Sequence, residues 1–205
     1  MSIVKLNNRA VKDATAVGSI TGLGNLVFIS RSTASSSSSL SITSGINSTY
    51  KEYIFMFNNI HPSGSADSVG FTFNASIDGG SNYNVTKTTT FCNSYHYEND
   101  SGAFLQYSDG TDIAQGTGYQ SIAFSSANSD DGISGSLHLF DPSNTTFVKH
   151  FVCSLNGLFI NSSVSATNYT FPAGYFNTTS AINAVDFKMA SGNIDSGTID
   201  MYGVL

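Results

Sequence analysis

Residues 69–77 alternate without exception: Val69, Phe71, Phe73, Ala75 and Ile77 are separated by Gly70, Thr72, Asn74 and Ser76. A repeat of two puts one set on each face of an extended chain, which a helix cannot do. The pattern predicts a half-buried strand, and the same period recurs along the chain. Ile133, Gly135, Leu137 and Leu139 share a face, as do Val185, Phe187 and Met189. Phe147, Lys149, Phe151 and Cys153 oppose Val148, His150 and Val152. Tyr53, Phe55 and Phe57 oppose Ile54 and Met56, so that strand is apolar on both sides and is expected at the centre of a sheet. Composition agrees. Charged residues are 11% of the chain, and Glu52 and Glu98 are its only glutamates. Ser, Thr, Asn and Gly take their place, which suits strands and turns and leaves helices short of good formers.

Turn residues divide these runs. Asp78-Gly79-Gly80-Ser81-Asn82 predicts a hairpin from the 69–77 strand to a return strand holding Tyr83, Val85, Lys87, Thr89 and Phe91. Asp141-Pro142-Ser143-Asn144 is another turn, and His61-Pro62 is read as a third. Ser191-Gly192-Asn193 predicts a C-terminal hairpin between the strand of Val185, Phe187 and Met189 and that of Ile199 and Met201. The serine run at 35–39 leads into Leu40-Ser41-Ile42 and reads as a small-residue edge strand. Roughly ten short strands without a helical stretch predict an all-β, two-sheet antiparallel sandwich. A jelly-roll-like arrangement is preferred to an immunoglobulin-like one, which has fewer strands and a typical Trp in its core; this chain has no Trp. Residues 1–24 lack clean periodicity and read as an extended arm, with 25–205 as a single sandwich domain.

The net charge of -6 argues against nucleic acid as a main partner. No apolar run approaches the roughly 18 residues of a membrane span. Lys5, Arg9 and Lys12 precede the first acid, Asp13, so the arm is basic and the remainder acidic. The surface composition is that of an extracellular β-protein, yet the N-terminus has no apolar leader region. The outer protein of a virus meets both conditions. It folds and assembles in a host cytoplasm and meets the outside only on release. Cys92 and Cys153 lie in strand-like runs without a CxxC partner and are expected as free thiols. The Asn-x-Ser/Thr sequences follow from composition and are not read as glycan acceptors.

No residue group announces a chemistry. His138 and His150 flank the Asp141-Pro142 turn and could approach one another, but no third ligand or nucleophile is marked. The aspartates at 78, 109, 112, 130 and 131 are explained by turns without calcium. Ser76-Ile77-Asp78-Gly79-Gly80-Ser81-Asn82-Tyr83 resembles the Asp box of sialidases, a folding motif remote from their chemistry, and its single copy implies no enzyme. The expectation is therefore no catalytic residues, no metal and no cofactor. Tyr95, Tyr97, Tyr107 and Tyr119 are the candidate glycan platform, because an aromatic face suits a sugar ring while the hydroxyl adds a polar handle. Lys5, Arg9 and Lys12 are the candidate attachment residues, since an arm without a core orders by binding.

Two stretches carry a resemblance. Residues 44–62 run from Ser44-Gly45-Ile46-Asn47 to Asn59-Ile60-His61-Pro62, with Asp78-Gly79-Gly80-Ser81-Asn82-Tyr83 after them. Residues 182–203 end in an SGN-x-x-SGT-x-x-x-YG pattern, from Ser191-Gly192-Asn193 to Tyr202-Gly203. The chain resembles an uncharacterised family of virion structural proteins from tailed marine bacteriophages, and the likeness includes Asn7-Asn8-Arg9. The resemblance implies a phage structural protein and supplies no active site. The expected role is a non-enzymatic exterior protein of a tailed phage, as capsid decoration or tail or fibre component. It would form a homo-oligomer and be held to other virion proteins through its arm. The alternative is a receptor-binding tail-fibre or adhesin module for host surface glycan.

Overall fold

The computed structural model describes residues 25–205, so the arm expected at 1–24, with Lys5, Arg9 and Lys12, lies outside the described residues. Fourteen strands follow in order: β1 (Leu26–Thr33), β2 (Leu40–Ile42), β3 (Glu52–Pro62), β4 (Val69–Ser76), β5 (Lys87–Thr90), β6 (Cys92–Tyr97), β7 (Ala103–Tyr107), β8 (Gln120–Ser125), β9 (Ile133–Phe140), β10 (Lys149–Asn161), β11 (Val164–Thr170), β12 (Ala173–Phe176), β13 (Ala184–Met189) and β14 (Ile194–Val204). They form two antiparallel sheets. The larger runs β1-β14-β3-β9-β10-β11-β6-β7, with β12 and β5 continuing beside β10; the smaller runs β2-β13-β4-β8.

Eight of these strands make a jelly roll. β1-β14-β3-β9 faces β2-β13-β4-β8, the paired four-strand order of two Greek keys. Two insertions then enlarge one sheet. β5 to β7 leave the chain between β4 and β8, and β10 to β12 leave it between β9 and β13. Both join the large sheet beyond β9. β3 is central between β14 and β9, as expected, with Tyr53, Phe55 and Phe57 turned to the core and Met56 exposed on the other face.

Phenylalanines fill the space between the sheets. Phe57 meets Phe71 edge-on at 5.2 Å, Phe55 lies 5.5 Å from Phe187, and Phe73 meets Phe151 at 4.9 Å. Burial of each ring stabilises the fold by about 2–3 kcal/mol. Gly157 lets β10 approach β8, since a Cβ there would stand 2.4 Å from the Phe124 carbonyl oxygen. The Ser126 N–H donates to the Leu158 carbonyl across that junction at 2.8 Å.

The period-two readings give the right faces and, at two turns, the wrong partners. The 78–82 turn does not make a hairpin: β4 pairs with β13 and β8, whereas β5 pairs with β12 in the other sheet. The 191–193 turn likewise joins β13 of the small sheet to β14 of the large one. Both are corners of the sandwich. β4 is buried on both faces rather than half-buried. The segment after the 78–82 turn crosses its polar side, where Asn74 Nδ2 donates to the Tyr83 and Thr117 carbonyls at 2.6 and 2.9 Å. His61 and Pro62 end β3 instead of forming a turn. The serine run is a connection with one bridge, Ser37 to Ile194, ahead of the edge strand β2.

Buried charge is placed deliberately. Arg31 donates twice to Asp200, both at 2.6 Å, and holds that carboxyl below its ordinary range, chiefly through the hydrogen bond. Lys87 is fully buried, with its ammonium donating to the Gly118 carbonyl at 2.5 Å and standing 5.7 Å from the centre of the Phe176 ring. Burial pulls it down to about 8. Cys92 and Cys153 are free thiols, with Cys153 buried and Cys92 half-buried. Burial raises the Cys153 thiol well above its usual range.

Candidate recognition face

The large sheet continues past β8, the last strand of the small one, and the continuation carries most of the predicted tyrosines. On β6, Phe91, Asn93, Tyr95 and Tyr97 fall on one face by alternation, counting from the residue before the strand. β7 pairs alongside, with Phe104 opposite Tyr95 and Gln106 opposite Asn93. Tyr95 stacks on Phe104 at 4.9 Å and meets Phe159 edge-on at 5.6 Å. Tyr97 stands 5.6 Å from Tyr95 and receives a hydrogen bond from Asn161 Nδ2 at 2.7 Å. Burial raises the Tyr95 phenol, and Tyr97 adds to the effect.

The other two tyrosines stand apart from this cluster. Tyr107 is exposed at the end of β7 and donates to Asp112, which raises its phenol. Tyr119 lies just before β8 and makes its side-chain contacts with β13 of the small sheet. Its hydroxyl donates to Asp186 at 2.9 Å, and the Lys188 ammonium lies 4.0 Å over its ring. Burial, then Asp186, pushes the Tyr119 phenol above its ordinary range. Tyr119 thus secures the outer face of β13 and is not presented beside Tyr95.

Beneath the aromatic cluster, between it and Phe124 of β8, lies a cavity of about 220 Å³. Asn93, Asn168, Phe91, Phe124, Phe159 and Gln106 are among its lining residues. Asn93 Nδ2 donates to Asn168 Oδ1 at 3.0 Å. Sequence reasoning named the tyrosines and missed these amides. The signal was present, because alternation puts Asn93 on the face of Phe91 and Tyr95.

The opposite face of the same strands borders a wider trough of about 700 Å³, with His61, His96, Glu98, Asp130, Asp131 and Asp195 among its walls. Its histidines are already engaged. His61 Nε2 lies 2.9 Å from the Asn128 carbonyl, and His96 lies 3.1 Å from Asp100. Elsewhere, His138 pairs with Glu52 at 2.6 Å while His150 packs against Tyr175, so each has its own neighbour. Among the described residues no three His, Cys, Asp or Glu side chains gather as metal ligands. Asp78 accepts from Asn82 and Ser76 inside its turn, and those bonds lower it to about 2. Ser126 donates to Asp131 in the same manner.

What fold and face define is a jelly roll with one enlarged sheet carrying an uncharged aromatic surface. Comparison of the chain with protein-family models, curated proteins and solved structures returns no match.

Proposed function

We propose that this chain is a non-enzymatic structural protein on the exterior of a tailed phage particle, as capsid decoration or tail or fibre component. The observation that carries this reading is the strand order, β1-β14-β3-β9 over β2-β13-β4-β8. Viral capsid domains and lectins are among the proteins built this way. The charge-poor surface and free thiols support it, since they suit a protein that folds in a reducing cytoplasm and works outside. In this reading Lys5, Arg9 and Lys12 hold an acidic surface of a neighbouring virion protein, and the chain acts as a homo-oligomer.

The clustering of Tyr95, Tyr97 and Phe104 on one exposed continuation of the sheet favours a second role, recognition of host surface glycan. Tyr119 drops out of that platform and Tyr107 lies at its edge.

Immunogold labelling of phage particles from lysates containing this chain tests the proposal. Label on heads or tails is expected. Particles that stay unlabelled while the free chain in the lysate is detected would overturn it.

A further inference from the structure

The outer edge of β7 is open over its whole length. Every residue from Ala103 to Tyr107 is exposed, with Leu105 at 75%. The Tyr97 N–H donates to the Gly102 carbonyl and the Ser108 N–H to the Phe91 carbonyl, at 3.1 and 2.9 Å. The register of β6 on β7 is unbroken between these two bonds, so Phe104 and Gln106 also turn their backbone groups to β6. Ala103, Leu105 and Tyr107 therefore aim theirs away from the sheet. No hydrogen bond among the described residues takes up those N–H groups or carbonyls.

The other sheet edges are each protected, as edges that stay single usually are. β1 carries a bulge between Phe28 and Ser30 and the charge of Arg31. β2 is three residues long. β5 is bonded along its outer side, where the Gly116 and Ile113 carbonyls accept from the Lys87 and Thr89 N–H groups at 2.9 and 2.8 Å. β8 lies against β10 and β11, and its Ile122 carbonyl accepts from Thr170 Oγ1 at 2.6 Å. β7 has none of these devices. Its sequence, Ala-Phe-Leu-Gln-Tyr, holds no charge and no proline, and its pairing has no bulge.

We infer that β7 pairs antiparallel with β7 of a second copy of this chain, about a two-fold axis through Leu105. The strand is self-complementary in that register. Leu105 exchanges its N–H and carbonyl with Leu105 of the second copy, and Ala103 does so with Tyr107 on either side of the axis. Every outward donor and acceptor of β7 is then used. Phe104 comes to lie opposite Gln106 and Tyr107 opposite Ala103, so each ring meets a side chain without one and no like charges are set opposite. Contact along five residues covers about 17 Å, short of a standard interface, so the dimer is a weak one. The inference rests on the homo-oligomer of the reading above and supplies its interface. The Tyr95 and Phe104 clusters of the two copies become one continuous face across the axis.

The test is sedimentation equilibrium of the full 205-residue chain. Concentrations from about 5 to 500 μM span the Kd of about 10–100 μM expected of so small a contact. The mean mass should rise across that range from one chain toward two. Leu105→Lys sets two ammonium groups opposite each other at the axis and should weaken association at least about tenfold. The Leu105 side chain meets solvent in a single copy, so the variant should keep the wild-type melting temperature. Amide hydrogen exchange on the wild-type chain reads the register without any variant. The Ala103, Leu105 and Tyr107 amides should exchange several-fold more slowly at the high end of the range than at the low end. The Phe104 and Gln106 amides, held by β6, should be protected alike at both. A single-chain mass throughout, or association unchanged in Leu105→Lys, overturns the interface. So do outward amides protected at every concentration, because another part of the same chain would then cover the edge. A monomeric chain on labelled particles would remove the interface and leave the exterior-protein reading standing. A β7 dimer with unlabelled particles would do the reverse.

Discussion

Lys87→Met should make this protein more stable, although it removes a hydrogen bond. Burial alone holds Lys87 at about 8 instead of 10.5, and no carboxylate among the described residues lies within ion-pair reach of it. That difference corresponds to about 3 kcal/mol held against the charged form. Solvent screening reduces it to about 2 kcal/mol. The substitution gives back about 1 kcal/mol by removing the bond to the Gly118 carbonyl. That oxygen keeps a 3.4 Å contact from Asn74 Nδ2, so it is not orphaned. Methionine is close in length and suits the space beside Phe176. The expected gain at pH 7 is about 1 kcal/mol, or roughly 2–4 °C in Tm for a domain of this size. The pH dependence is the sharper readout. Between about pH 8 and 10.5 the unfolded lysine holds a proton that the folded one has released, so wild-type stability rises with pH across that window. The variant lacks this rise, and its advantage should shrink and vanish by pH 10. Urea titrations of both proteins at pH 7 and pH 10 measure it. A variant destabilised equally at both values would refute the reasoning, because Lys87 would then be held on favourable terms.

Three further outcomes are expected. Arg31→Ala should lower the urea midpoint at pH 7, because Asp200 loses both of its donors. Since the folded Asp200 pKa is depressed, its contribution exists above about pH 4 and disappears in acid, so the gap between variant and wild type should close there. Gly157→Ala should cost about 3 kcal/mol, because its Cβ would enter the Phe124 carbonyl 2.4 Å away; urea unfolding measures it. Removing residues 1–13 should abolish incorporation into particles while circular dichroism still reports a folded β-protein. Normal incorporation of the shortened chain would exclude the arm as the anchor.

Much of this fold could be read from the sequence, but unevenly. Alternation located β3, β4, β9, β10 and β13 and picked out the core-facing side of each, because burial follows the period-two geometry of the strand itself, but it missed the cover over the polar side of β4. It could not tell which strand lies beside which. The turns at 78–82 and 191–193 carry residues that suit a hairpin and a sandwich corner equally, and here both are corners. The insertions β5 to β7 and β10 to β12 pair over long separations, and local pattern says nothing about such pairing. The aromatic cluster was legible through Tyr95 and Tyr97 because aromatic residues are conspicuous. Tyr119 was grouped with them by closeness in sequence, yet its contacts belong to another sheet. Lys87 already shared a face with Val85 and Phe91 in the alternation, and that was the trace of its burial.

The place of β14 has a consequence for how the chain comes to be folded. Within the described residues β1 pairs with β14 alone, and β14 is also the neighbour of β3 on its other side. β1 and β3 are therefore made early and joined only when residues 194–204 arrive between them. At ribosomal speeds of about 5–20 residues per second, the intervening stretch takes on the order of 10–30 s to synthesise. Throughout that interval two phenylalanine-bearing strands wait with open edges, exposed to pairing with another nascent chain. The slow step of folding is expected to be the insertion of β14, and interrupted synthesis should yield aggregate rather than a smaller folded protein.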